Sequence, residues 1–453
     1  MTYAAFQTHI ARINDVLCAV NLMGWDARTM MPPGGVDARG QQVATLTALA
    51  REMATGDDLR RAMEAAREEL AGAEPDDIRL RALDLADREI TTLRRIPAEV
   101  IGEIAGLTTR AHAAWAEARA ANDFKGYAPL LKRMMAMQCE VSQAIGGAHP
   151  YDPMVAKFEP GMTWDQLHCI YAELKTALVP LIQRAAAAKP PRMDFLARSY
   201  PVPQQKAFGM KLAERMGYDI ARGRLDDTVH PFEISFTRDD VRITSRFRET
   251  WLPGGMFALW HEAGHGMYEQ GGSPAFVRSI FTTDLVNLYA VNGASFGIHE
   301  SQSRLWENRV GRARGFWDLH FGELRDHFPE QLGDVTADEF WRSVNAVRPD
   351  CIVAYRTDIT WDPEWPSLLF QERDRPDAPY SHRGRLYIPA ASMFIHLVSL
   401  TKGSMRMIVV SQIDRAGEMR GLITTLNKQR AMLLPVSAPI VYARRENFDA
   451  GML

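Results

Sequence analysis

Across the first two hundred residues, apolar side chains recur three and four positions apart, the spacing of one face of an α-helix. Leu59, Met63, Ala66 and Leu70 form one such stripe, with arginines and glutamates between them. Ile78, Ala82 and Leu85 begin a second after Pro75, and Pro97 closes it, because proline neither donates a backbone hydrogen bond nor fits a helix interior. Thr163 and Gln166 stand three apart after Pro160-Gly161, which predicts a capping box for a helix carrying Leu167, Ile170 and Leu174. The stretch 185–192 (AAAAKPPR) predicts a helix end and a break. No repeat or low-complexity tract is present, which argues against a solenoid.

One segment changes period. Residues 233–237, a turn at Arg238-Asp239-Asp240, and residues 241–247 predict a short β-hairpin. Val241, Ile243, Ser245 and Phe247 would share one face, and Arg242, Thr244 and Arg246 the polar other. Helical patterning resumes before His261 and runs to about residue 350. Residues 361–380, rich in Pro, Asp and Arg, read as a loop, and the remainder is weakly patterned, with apolar runs near Phe394 and Ile408. The expected fold class is mainly α, a large single helical domain with one small hairpin or sheet.

Composition narrows the function more than the fold. The chain has 453 residues, 46% of them apolar and 24% charged, enough for a large buried core. With 53 basic against 56 acidic residues, no field argues for nucleic acid or an anionic membrane surface. The four cysteines, Cys18, Cys139, Cys169 and Cys351, form no CxxC pair and read as buried thiols in a reducing compartment. The opening residues lack a basic-then-apolar leader, and no apolar run approaches the ~20 residues of a membrane span. A cytoplasmic location is expected.

The chemistry sits at 261–265, His261-Glu262-Ala263-Gly264-His265, an H-E-x-x-H pattern. Residues four apart lie on one helix face, so both imidazoles can reach one metal ion at about 2.0–2.1 Å. Glu262 then points to the flank, where it can take a proton from a metal-activated water. Phe257, Leu259, Trp260 and Met267 surround the motif and predict a buried helix rather than a solvated one. A third ligand is needed. Tyr268 occupies the position of the glycine in the extended H-E-x-x-H-x-x-G-x-x-H form, so a carboxylate is expected instead. Glu269 fails, because three ligands spread over eight residues would span ~12 Å of helix. Glu300 and Glu307, seven apart and on one face of a helix, both qualify, and spacing alone does not choose.

The chain resembles the M32 metallocarboxypeptidases, the family of the thermostable Taq carboxypeptidase. The resemblance rests on LMGWDARTMMPPGG (22–35), YDPMVAKFEPGM (151–162), GRLDDTVHPF (223–232), DVRIT (240–244), HEAGH (261–265), HESQSRLWEN (299–308) and QLGDVTADEF (331–340), in family order. It covers about residues 1–350 as a metallopeptidase region, with 351–453 as a divergent segment packed on the same domain. It implies an almost all-helical fold with a deep groove and a small sheet beside the active-site helix. It implies zinc or cobalt, one ion per chain, peptide substrates, and a homodimer. It also implies Glu300 as third ligand, leaving Glu307 a structural acid. Arg242 of DVRIT, His230 of HPF and His299 become substrate-site residues, with Tyr268 packing. The expected function is a metal-dependent carboxypeptidase, with Glu262 as general base. The alternatives are a metal- or peptide-binding relative with impaired catalysis, or a related endopeptidase.

The sequence departs from the family in three places. The segment between His265 and His299 is longer than expected. In the family's later I-R-x-x-A-D motif, the arginine position holds Val353. Arg356, three residues on and about 60° away on a helix, is the candidate replacement. The G-x-x-Q-D-x-H-W motif is not found.

Overall fold

The computed structural model describes residues 2–290 and 295–346, together with the backbone of 352–357, 385–387, 399–401 and 404–412. Its contacts divide the chain into two compact units. One comprises 1–110, 137–173 and 190–346, and the other 111–136, 174–189 and 347–453. Every residue discussed below as part of a site belongs to the first.

The amino-terminal helices follow the predicted stripes. Helices α1 (Tyr3–Thr29), α2 (Val36–Thr55), α3 (Asp57–Glu69) and α4 (Ile78–Arg95) pack in order. Leu59, Met63, Ala66 and Leu70 are all buried. In α4 the buried stripe is Ala82, Leu83, Ala86, Ile90 and Leu93, so the face is rotated from the predicted one and Ile78 is exposed. Asp77 caps that helix by accepting from the Arg79 backbone N–H at 2.8 Å. Helices α5 (Ala98–Ala121), α6 (Phe124–Ile145) and α7 (Asp152–Ala156) follow. The capping box at Thr163 and Gln166 opens α8 (Trp164–Ala187) as predicted. Its Ile170 and Leu174 are exposed, however, and Trp164 is the buried anchor. Cys18 and Cys139 are half-buried and Cys169 is exposed, which corrects the expectation of uniformly buried thiols.

Beyond α9 (Val202–Met216) the predicted hairpin forms from β2 (Glu233–Thr237) and β3 (Asp240–Ser245). A third strand, β1 (Gly223–Asp227), pairs in parallel with β3 and was not predicted, because Gly-Arg-Leu-Asp-Asp holds one apolar residue in five. The order is β1-β3-β2. Val241 and Ile243 are fully buried, and Ile243 joins the core around α10 (Leu252–Gln270). The face expected to be polar is covered as well, with Ile234 and Phe236 packing on Trp25 of α1.

Helix α10 is buried from Leu252 through Gly266, as its apolar surroundings predicted. Phe208 and Leu212 of α9 pack on it, as do Trp317 and Phe321 of α12 (Arg314–His327). Trp260 is fully buried and donates its indole N–H to the Gly209 carbonyl at 3.1 Å. Helix α11 (Phe296–Arg304) starts where Ser295 accepts from the Ile298 N–H at 3.1 Å. Glu159 holds that start, accepting from the Ser295 hydroxyl at 2.8 Å and from the Gly297 N–H at 3.2 Å. The 151–162 segment thereby fixes the helix that carries Glu300. The chain then widens into a π-helical turn at Leu305–Val310. Helices α13 (Pro329–Leu332) and α14 (Ala337–Val344) close the unit, and Thr336 with Glu339 forms a capping box.

In the second unit, strand β7 (Ser404–Gln412) pairs antiparallel with β4 (Ile352–Thr357), β5 (Arg385–Tyr387) and β6 (Ser399–Thr401). Arg356 falls in β4, so the helical spacing that linked it to position 353 does not hold. Its side chain lies outside the described residues, as do the expected loop at 361–380 and Phe394.

Candidate metal centre

Two helices and one widened turn build the site. Helix α10 presents His261 and His265 one turn apart, and α11 brings Glu300 against them. The Nε2 atoms of the two histidines are 3.2 Å apart. Glu300 Oε2 lies 3.1 Å from His265 Nε2 and 3.6 Å from His261 Nε2. In a tetrahedral site with bonds of about 2.0–2.1 Å, ligand atoms sit roughly 3.3–3.4 Å apart. The three measured edges bracket that spacing, and the donor set of two imidazoles and one carboxylate suits a borderline divalent ion. Among the described residues this is the one grouping of three such side chains with ligand atoms within 4.8 Å of each other.

Each member is held from outside the trio. Glu300 accepts from Arg304 Nε at 2.9 Å through Oε1 and from the Ser303 hydroxyl at 3.2 Å through Oε2. Glu307 Oε2 meets His261 Nδ1 at 2.9 Å and accepts from Arg304 at 3.1 Å. His299 Nδ1 meets His265 Nδ1 at 2.7 Å, and its Nε2 meets Glu269 Oε1 at 2.8 Å. His299 therefore sits behind His265, and Tyr268 packs against its ring edge-on.

Burial dominates the electrostatics. It pushes the Glu262 carboxyl up to about 7, because a charged oxygen there has little water. Burial opposes charge on both histidines. Hydrogen bonds to Glu300 and Glu307 nevertheless carry His261 up to about 10, while burial and the neighbouring imidazoles take His265 down to about 4. Burial would raise Glu300 and Glu307, but their bonds to the histidines outweigh it and both are lowered. Glu233 is raised by burial and by Glu269. So many carboxylates around two imidazoles make a pocket that a divalent cation would relieve.

The remaining candidates lie elsewhere. Arg242 is on the sheet face opposite α10, stacked 4.5 Å from the Trp25 ring centre and 4.8 Å from that of Phe236. Its guanidinium forms a two-point pair with Asp240, both contacts at 2.9 Å, and its side chain is 17% exposed. His230 is half-buried in the link between β1 and β2. Sequence reasoning missed Glu269 and Glu307 as partners of the histidines. The signal was present in the i, i+4 step from His265 to Glu269, but only the fold shows that His299 stands between them.

Among the described residues no helix is long and apolar enough to cross a membrane. The profile of the carboxypeptidase Taq (M32) metallopeptidases matches residues 5–361. Carboxypeptidase 1 of Bacillus subtilis is 32% identical over 354 residues, covering 78% of this chain and 68% of that protein. Thermostable carboxypeptidase 1 of Thermus thermophilus is 35% identical, covering 75% and 67%. The crystal structure of the M32 carboxypeptidase from Deinococcus radiodurans superimposes with a TM-score of 0.66 at 34% identity, covering 83% of this chain and 70% of that one.

Proposed function

The chain belongs to the carboxypeptidase Taq (M32) family of metallopeptidases, and from that membership we propose that it removes C-terminal residues from peptides using one divalent ion, zinc or cobalt. The observation that carries the reading is the convergence of His261 Nε2, His265 Nε2 and Glu300 Oε2 at ligand-to-ligand spacing. A divalent ion held there would supply Lewis acidity, polarising the scissile carbonyl and acidifying the attacking water. The chain's own residues supply the rest. Glu262, buried beside the ligands, takes the water's proton on a carboxylate oxygen and later passes it to the leaving nitrogen. A peptide lying along an edge strand of the small sheet would take main-chain hydrogen bonds whatever its side chains. His230 belongs to the same proposed substrate surface. The reading also includes a homodimer in the cytoplasm.

The expected consequence for metal is direct. His265→Ala should lower bound zinc, measured per chain by elemental analysis after dialysis. Full occupancy in that variant would sink the ligand assignment.

Exopeptidase action also needs a cation that reads the substrate's terminal carboxylate, and a guanidinium does this bidentately. In this reading Arg242 is that cation, and a substrate would have to share or displace Asp240. The family's other arginine position holds Val353. Losing one bidentate pair in a partly desolvated groove costs ~2–5 kcal/mol, roughly 30- to several-thousand-fold in kcat/KM. Slow turnover is therefore expected. The assay is release of the C-terminal residue from an N-blocked dipeptide and from its C-terminal amide, with zinc or cobalt added. Slow cleavage of the free acid alone supports the proposal, and equal cleavage of both points to an endopeptidase. Metal bound with no hydrolysis favours the impaired relative that Val353 suggests. Turnover of ~1–10³ s⁻¹ would show that carboxylate reading is intact without the missing arginine.

A further inference from the structure

We propose that His261 and His265 are held in ligating orientation by two outer arms: Glu307 on one, and His299 backed by Glu269 on the other. The inference deepens the metal reading above and rests on it.

The argument is one of hydrogen placement. A neutral imidazole has one nitrogen with a lone pair and one with a hydrogen, so the nitrogen that ligates fixes the role of the other. Both Nε2 atoms face the point shared with Glu300, so both Nδ1 atoms must carry the hydrogen. His261 Nδ1–H then donates to Glu307 Oε2 at 2.9 Å. Glu307 is 1% exposed on its side chain, and Arg304 at 3.1 Å and Arg312 at 3.4 Å keep it from turning away. It stands on the π-helical turn, a widened geometry that recurs at functional sites.

The second arm is longer. His265 Nδ1–H donates to His299 Nδ1 at 2.7 Å, which leaves the His299 hydrogen on Nε2, aimed at Glu269 Oε1 at 2.8 Å. Every nitrogen in this chain has one role and every hydrogen one acceptor. The reverse placement, with His299 Nδ1–H donating to His265, would put a hydrogen on His265 Nε2 and close it to a metal. His299, Glu269 and Glu307 are thus positioning residues. Outer partners of this kind typically change metal affinity 10- to 100-fold.

The test is the zinc dissociation constant, read by competition with a chelating indicator, for the full-length wild type, Glu307→Gln, His299→Phe and Glu269→Gln. Each variant is expected to bind zinc roughly 10- to 100-fold more weakly. Loss of packing alone would lower the melting temperature without moving that constant. If Glu307→Gln does not fold, Glu269→Gln carries the test, since Glu269 lies at the half-buried end of its arm. Wild-type protein that binds neither zinc nor, in the same competition, cobalt would overturn the metal reading itself. Wild type that binds, with variants matching its constant, would overturn the positioning arms and leave the metal reading standing.

Discussion

Glu262→Gln is expected to keep its divalent ion and to lose turnover by a factor of ~10² or more. The two side chains have the same shape, so the core around α10 has no reason to repack. The difference is that an amide cannot take a proton from water. Glu262 lies one residue from His261 in sequence but is not among the three side chains whose ligand atoms converge. Removing its charge should therefore leave the grouping of His261, His265 and Glu300 intact. Metal content and kcat, measured on the same preparation, separate the two roles. Metal loss comparable to that of His265→Ala would mean that Glu262 helps hold the ion and is not the base.

The division between what the sequence made legible and what it did not follows the range of the interactions. The buried helix α10 was readable because its determinants are local: Phe257, Leu259 and Trp260 around a four-residue histidine spacing. The hairpin was readable for the same reason, from the alternation at Val241 and Ile243. Strand β1 was not, because its pairing with β3 is parallel and comes through a link, and its own residues are mostly polar. The rotated stripe in α4 shows a different limit. Ile78 is apolar and correctly spaced, yet it sits in the first turn, where half of its surface stays exposed.

The choice between Glu300 and Glu307 shows why spacing could not finish the site. On a regular helix the two would share a face, and each would have an equal claim on the histidines. The chain is regular only to Arg304 and widens at Leu305–Val310. Glu300 thereby meets the Nε2 side of the histidines and Glu307 the Nδ1 side of His261. Arg242 shows the converse. Its place on the hairpin's second face was correctly inferred, and Asp240 two residues back shares that face, but no sequence pattern reveals that Trp25 would cover its guanidinium.

Gly264→Ala is expected to weaken metal binding about 10- to 100-fold and to lower kcat/KM about 10²-fold, although alanine is the better helix former by about 1 kcal/mol. The reason is the approach of two backbones. A Cβ at Gly264 would lie 2.6 Å from Ser303 Cα and 2.9 Å from the Gln302 carbonyl oxygen, and neither atom can swing aside as a side chain would. Helix α11 must retreat by about 1 Å, and a displacement of that size at a reacting centre is worth about a hundredfold in rate. Ser303 is one turn from Glu300 and donates to its carboxylate, so the retreat carries Glu300 away from both histidines. Overpacking should also cost about 1–3 kcal/mol of stability. Gly322→Ala, on α12 where a Cβ meets nothing within 4 Å, is the control and should stabilise by about 0.5–1 kcal/mol. Zinc affinity and thermal melting of the two variants decide the matter. If Gly264→Ala binds zinc as wild type does, α11 can yield without moving Glu300. The glycine would then serve helix packing and not the position of the ligand.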